Sequence, residues 1–205
     1  MPPKSAGDAA DERMRIVAGK FRGAGIEAPK GLATRPTADR VRQALFNVLE
    51  HGAPHFAFEG ARVLDLFAGS GALGLEALSR GARFCLFVEE SAQARAAIRR
   101  NVEALGLTGV TKIWRRDATK LGEAGALQAF ALIFCDPPYG QGLGERALAE
   151  TVNMGWAEEG AIAVWEERAD AVIAWPAGFE EIDARRYGDT AIAIARAGPR
   201  RDFCP

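Results

Sequence analysis

The pattern of hydrophobic positions changes character near residue 60. From Arg62 onward, short and nearly continuous apolar runs alternate with segments whose apolar residues recur every three to four positions. The runs "RVLDLF", "RFCLFVE", "VTKIWRR" and "ALIFCD" predict strands, with helices between them around 71–80, 91–104 and 123–129. Strands that are apolar on both faces and separated by helices pair in parallel, with both faces of the sheet covered. A helix near 144–155 leads to a fifth strand in "AIAVWEE". Two last strands, near 179–187 and 190–196, face each other across Tyr187-Gly188-Asp189, a hairpin signal. The pattern predicts an α/β, Rossmann-like domain over 59–198, with a seven-stranded, mostly parallel sheet ending in an antiparallel hairpin.

Upstream of this domain the pattern is different. Residues 1–12 have no periodicity and the composition of a disordered tail, and 199–205 form a second tail. Between them, 13–58 read as a small extension. "MRIVAGKFRGAGIEAP" has short apolar pieces broken by glycines, as in a hairpin. After Pro36, Thr37 is placed to cap a helix with Val41, Leu45, Val48 and Leu49 on one face and Arg40 and Arg42 on the surface, ended by His51, Gly52 and Pro54.

Composition narrows the function classes. With 205 residues and 48% apolar content the chain can bury a sizeable core. It has no run of about 18 apolar residues and no signal sequence, so a cytoplasmic protein without a membrane partner is expected, most simply a monomer. Cys85, Cys135 and Cys204 lack the spacing of a disulfide framework or zinc site, and the first two belong in the core. His51 and His55 lack partners at metal spacing, so no metal is expected. The net charge of −1 hides an asymmetry, because Arg13 to Arg42 holds eight basic residues against two acidic ones. A basic arm on an acidic body suits a phosphate-bearing partner or a solvated surface.

The chemistry starts at "DLFAGSGALG", residues 65–74. Its G-x-G-x-x-G turn lets a ligand approach the backbone and is shared by nicotinamide, flavin and S-adenosylmethionine sites. Asp65 discriminates among them. A carboxylate repels a pyrophosphate but attracts the ammonium and sulfonium of S-adenosylmethionine; its competing role is to cap the loop's own amides. Glu89, at the end of the second strand, is placed to accept ribose hydroxyls, and Asp117, after the third, to accept from the adenine amine. Phe67, Gly69, Gly71 and Ala118 complete the candidate cofactor residues. "DPPY", Asp136-Pro137-Pro138-Tyr139, ends the fourth strand, and its two prolines make a stiff loop that fixes a carboxylate, a carbonyl and a ring relative to one another.

These motifs are similar to those of class I S-adenosylmethionine-dependent methyltransferases that modify exocyclic amines of nucleobases. With "MRIVAGKFRG" and "RPTADRVRQALFNVL", the order from Met14 to about Arg196 resembles the bacterial 16S rRNA guanine-N2 methyltransferase family. The resemblance implies that Asp136 and the Pro137 carbonyl accept from the amino hydrogens and that Tyr139 stacks on the base. It also implies that 16S rRNA, free or in a small-subunit particle, is held by Lys20, Arg22, Arg35, Arg40 and Arg42 through phosphate contacts. Two alternatives stand beside it: a DNA adenine-N6 or cytosine-N4 methyltransferase, which uses a similar loop, and a nicotinamide-dependent oxidoreductase.

Overall fold

The apolar runs of the second half of the chain lie side by side in one sheet. The computed structural model describes residues 14–29 and 36–199. Residues 1–13, 30–35 and 200–205, and with them the first tail, nearly all of the second, Arg35 and Cys204, therefore lie outside the described residues. Strands β1 (Met14–Arg15) and β2 (Gly25–Ile26) form a small antiparallel hairpin, followed by α1 (Pro36–His51). The main unit then runs β3 (Arg62–Leu66), α2 (Ala72–Ser79), β4 (Phe84–Val88), α3 (Ala92–Ala104), β5 (Thr111–Trp114), β6 (Phe130–Cys135), α4 (Leu143–Asn153), β7 (Ala157–Arg168), β8 (Phe179–Tyr187) and β9 (Thr190–Ala197).

The strand order is β5-β4-β3-β6-β7-β9-β8. The five strands β5, β4, β3, β6 and β7 are mutually parallel, and β9 runs antiparallel to both β7 and β8. The first strand of the unit, β3, is central, with the chain winding to one side through β4 and to the other through β6. Open α/β sheets bind ligands where the winding reverses in this way, beyond the carboxyl ends of the strands.

Each face of the sheet has its own core. Val63, Phe87, Phe134 and Val164 face Leu45, Phe46 and Leu49 of α1 and Leu75 of α2, with Phe46 stacked on Phe58 at 5.3 Å. Leu66, Cys135 and Trp165 face Leu148 of α4 on the other side. Cys85 and Cys135 are buried packing residues, and burial pushes both thiols up.

Two local expectations are corrected. The predicted helix at 123–129 does not form: Gly125 takes a φ of 58°, and the Ala124 amide donates instead to the Met154 carbonyl. Seven residues with an internal glycine cannot offset the cost of helix nucleation, and the crossover uses only a short 3₁₀ turn at Ala118–Lys120. At α1, Pro36 takes the first helical position, where its missing N–H costs nothing, so Thr37 falls inside the first turn rather than at the cap.

Candidate active site

The chain leaves β3 through a turn built by its glycines. Gly69 and Gly71 take φ of 56° and 79°, and Gly71 stands at the N-cap of α2. The third glycine, Gly74, serves packing, because a Cβ there would overlap the Phe87 ring and the Cys85 sulfur. Phe67 has a φ of 57°, a conformation that costs a non-glycine residue about 1–3 kcal/mol and tends to persist only at functional loops.

A cavity of about 760 Å³ opens above this turn. Its walls come from the turn, from Asp65, from Asp136 and Glu166 at the ends of β6 and β7, from α1, and from the β8–β9 turn at Tyr187–Thr190. Asp65 is buried, and its Oδ2 accepts from the Gly74 amide at 3.0 Å, so it does cap the loop while still facing the cavity. Burial pushes its carboxyl up to about 8; the Gly74 amide opposes the rise and the Glu89 charge adds to it. Asp136 faces solvent in the cavity, yet crowding by protein atoms and by the Glu166, Asp65 and Glu167 carboxylates raises it well above the usual range. Burial also raises Glu166, against the hydrogen bond it accepts from the Tyr139 hydroxyl at 3.0 Å. The Tyr139 hydroxyl is itself raised, chiefly by burial and then by the Glu166 charge, and remains a donor; 38% of the residue is exposed, and of the DPPY loop only Asp136 is among the residues that wall the cavity.

Glu89, Asp117 and Ala118 follow β4 and β5 along the same edge of the sheet, outside the walls of this cavity. Glu89 is tied to the turn, with Oε2 accepting from the Gly69 amide at 2.9 Å and Oε1 from the Ser91 amide at 2.7 Å. Asp117 caps the 3₁₀ turn by accepting from the Thr119 amide and hydroxyl, and the hydroxyl bond does most to hold its carboxyl below the usual range. Pro137 is buried and Pro138 exposed.

The basic candidates separate. Lys20, Arg22 and Arg40 are exposed. Arg42 is not on the surface: it is 5% exposed and donates to the Arg15 carbonyl and to Asp39, with Glu76 at 3.8 Å. Its place explains the burial, since Arg42, Leu45, Phe46 and Leu49 share one helical stripe. Sequence reasoning also passed over Glu76, Glu166, Asp189 and Thr190. Glu76 left a signal, being a carboxylate within a helix that is apolar on nearly every side.

The layout fits a cationic nucleoside better than a dinucleotide. Burial holds the Asp65, Asp136 and Glu166 carboxyl groups up, and the charges of Asp65 and Glu166 raise Asp136 further, a situation that a cation relieves and a pyrophosphate worsens. The Gly69 amide, which a pyrophosphate would need, already serves Glu89. Among the described residues no group of three or more His, Cys, Asp or Glu is arranged to hold a metal ion, and no helix is long and apolar enough to cross a membrane.

Strand order and site together define the class I methyltransferase fold with its ligand crevice at the switch point. Residues 14–196 match the family described as conserved hypothetical protein 95, and the chain belongs to that family, the one that holds the ribosomal RNA small subunit methyltransferases D. The chain is 36% identical over 172 residues to ribosomal RNA small subunit methyltransferase D of Escherichia coli K12, covering 82% of this chain and 81% of that one. The Haemophilus influenzae protein of the same name is 29% identical over 177 residues, covering 85% and 89%. A solved Escherichia coli structure, described as a candidate methyltransferase, superposes with a TM-score of 0.75 at 32% identity, over 91% of this chain and 99% of that one. These relatives leave the oxidoreductase alternative without support.

Proposed function

We propose that the protein transfers a methyl group from S-adenosylmethionine to the exocyclic N2 amine of a guanine in small-subunit ribosomal RNA, acting as a cytoplasmic monomer. The observation that carries this reading is one cavity lined by both Asp65, a buried carboxylate suited to a cation, and Asp136, the first residue of the stiff Pro-Pro-Tyr loop. The relatives' names supply the ribosomal RNA, and the notion of an amine comes from the loop.

S-adenosylmethionine, when bound, supplies an electrophilic methyl group. Asp65, with Phe67 and the glycine turn, would hold its cationic end; Glu89 would accept from the ribose and Asp117, beside Ala118, from the adenine amine. Asp136 and the Pro137 carbonyl accept from the two amino hydrogens of the guanine, which draws the nitrogen out of conjugation and aims its lone pair. Tyr139, fixed by Glu166, presents its ring to the base. The nitrogen becomes acidic once alkylated, so its proton passes to Asp136 without a stronger base. A base drawn from a duplex costs a few kcal/mol to expose, and phosphate contacts from Lys20, Arg22, Arg35 and Arg40 would help to offset this.

Labelled S-adenosylmethionine offered with small-subunit particles or with duplex DNA tests the reading. Label should enter the RNA as N2-methylguanine; transfer to DNA alone would overturn it.

A further inference from the structure

The DPPY loop accounts for one edge of an acceptor site, but the carboxylate beside it has no assigned work beyond steadying Tyr139. The parallel register of β6 and β7 pairs Cys135 with Trp165, so the next residues, Asp136 and Glu166, stand side by side on the same face of the sheet. Both line the cavity. Glu166 uses Oε1 to accept from Tyr139, and its Oε2 carries no hydrogen bond among the described residues.

We infer that Glu166 reads the N1–H of the target base and thereby selects guanine over adenine and cytosine; the inference rests on the guanine-N2 reading above. Guanine presents two adjacent donors, the N2 amine and N1–H, which match two adjacent acceptors, Asp136 and Glu166. Adenine and cytosine present an amine beside a ring nitrogen lone pair. Placed with its amine on Asp136, either base would set that lone pair against the Glu166 carboxylate. A site built to hydrogen-bond one group rejects an analogue lacking it, because the buried partner is left unpaired. The Tyr139 hydroxyl, by donating to Oε1, keeps the carboxylate turned as an acceptor.

The test compares small-subunit particles reconstituted with 16S rRNA that carries guanine or 2-aminopurine at the mapped methylation position. 2-Aminopurine keeps the N2 amine but has a lone pair at N1. The full-length wild-type protein should prefer guanine by a kcat/KM ratio on the order of 100-fold. In Glu166→Gln the amide oxygen still accepts from Tyr139 while its N–H donates to the N1 lone pair, so the ratio should fall below about tenfold, partly through faster methylation of 2-aminopurine. Glu166→Ala should lose guanine methylation without that gain, and both variants should bind S-adenosylmethionine within about threefold of wild type. An unchanged ratio in Glu166→Gln, with both substrates slowed equally, overturns the inference and leaves the guanine-N2 reading intact. A wild-type protein that methylates no guanine overturns both.

Discussion

Asp65 is subject to opposing demands. Its carboxyl is raised from 3.8 to about 8 in the folded protein, so between those values the native state holds a proton that the unfolded chain has released. The stability of the ligand-free protein therefore falls as pH rises through that window. Asp65→Asn should raise the thermal midpoint at pH 8 and leave it nearly unchanged at pH 4, as scanning calorimetry would show. The same variant should bind S-adenosylmethionine about 10- to 100-fold more weakly, the loss expected for a charge-assisted contact of roughly 1.5–3 kcal/mol. Asp136→Ala should separate the two functions differently, lowering turnover by at least about 100-fold while cofactor affinity measured by calorimetry stays near wild type. Gly74→Ala tests packing rather than chemistry: its Cβ would press on Phe87 and Cys85, and chemical denaturation should show a loss of about 1–3 kcal/mol.

At the scale of elements, the join between the N-terminal hairpin and the sheet unit depends on one buried carboxylate. Glu76 of α2 accepts from the Val17 and Ala18 amides at 2.7 and 2.9 Å and from Arg80 at 2.9 Å, while Arg80 reaches back to Glu50 of α1 at 2.8 Å. Ser79 accepts from the Phe21 amide, and Asn101 binds Glu27 through both its amide nitrogen and its oxygen. Glu76→Ala strands two amides and takes one buried partner from each of Arg42 and Arg80, and should cost about 3–5 kcal/mol and expose 14–29 to limited proteolysis. Little of this join could be read in advance. The parallel strands were legible because strands covered on both faces are apolar throughout, and the glycine turn and DPPY loop because their residue types are restricted by backbone geometry. The partners of a buried ion group are set by tertiary packing, and the spacing of Arg42 and Glu76 along their helices shows at most that they face inward. The failed helix at 123–129 has the same origin, since its decisive hydrogen bond is made by Met154, far along the chain.

For the whole molecule, charge and topology matter most. The net charge of −1 does not prevent nucleic-acid binding if the exposed basic residues of the N-terminal extension meet phosphates locally. Each such contact contributes about 0.7–0.9 to the slope of log affinity against log salt. Replacing Lys20, Arg22 and Arg40 with Ala should reduce that slope for small-subunit RNA by about 2, whereas replacing Arg42, buried against Asp39 and Glu76, should lower stability and leave the slope unchanged. An unaltered slope in the triple variant would remove the extension from the RNA contact.

The sheet order has a consequence for biosynthesis. Strand β9 follows the other six strands of the sheet in sequence yet lies between β7 and β8, and Thr190 at its start helps to wall the cavity. During vectorial synthesis β8 has no neighbour in the sheet until β9 emerges to join it to β7. The glycine turn and the Asp136 loop are both made by then, so a chain stalled before residue 190 carries every proposed catalytic group in a cavity that still lacks its outer wall.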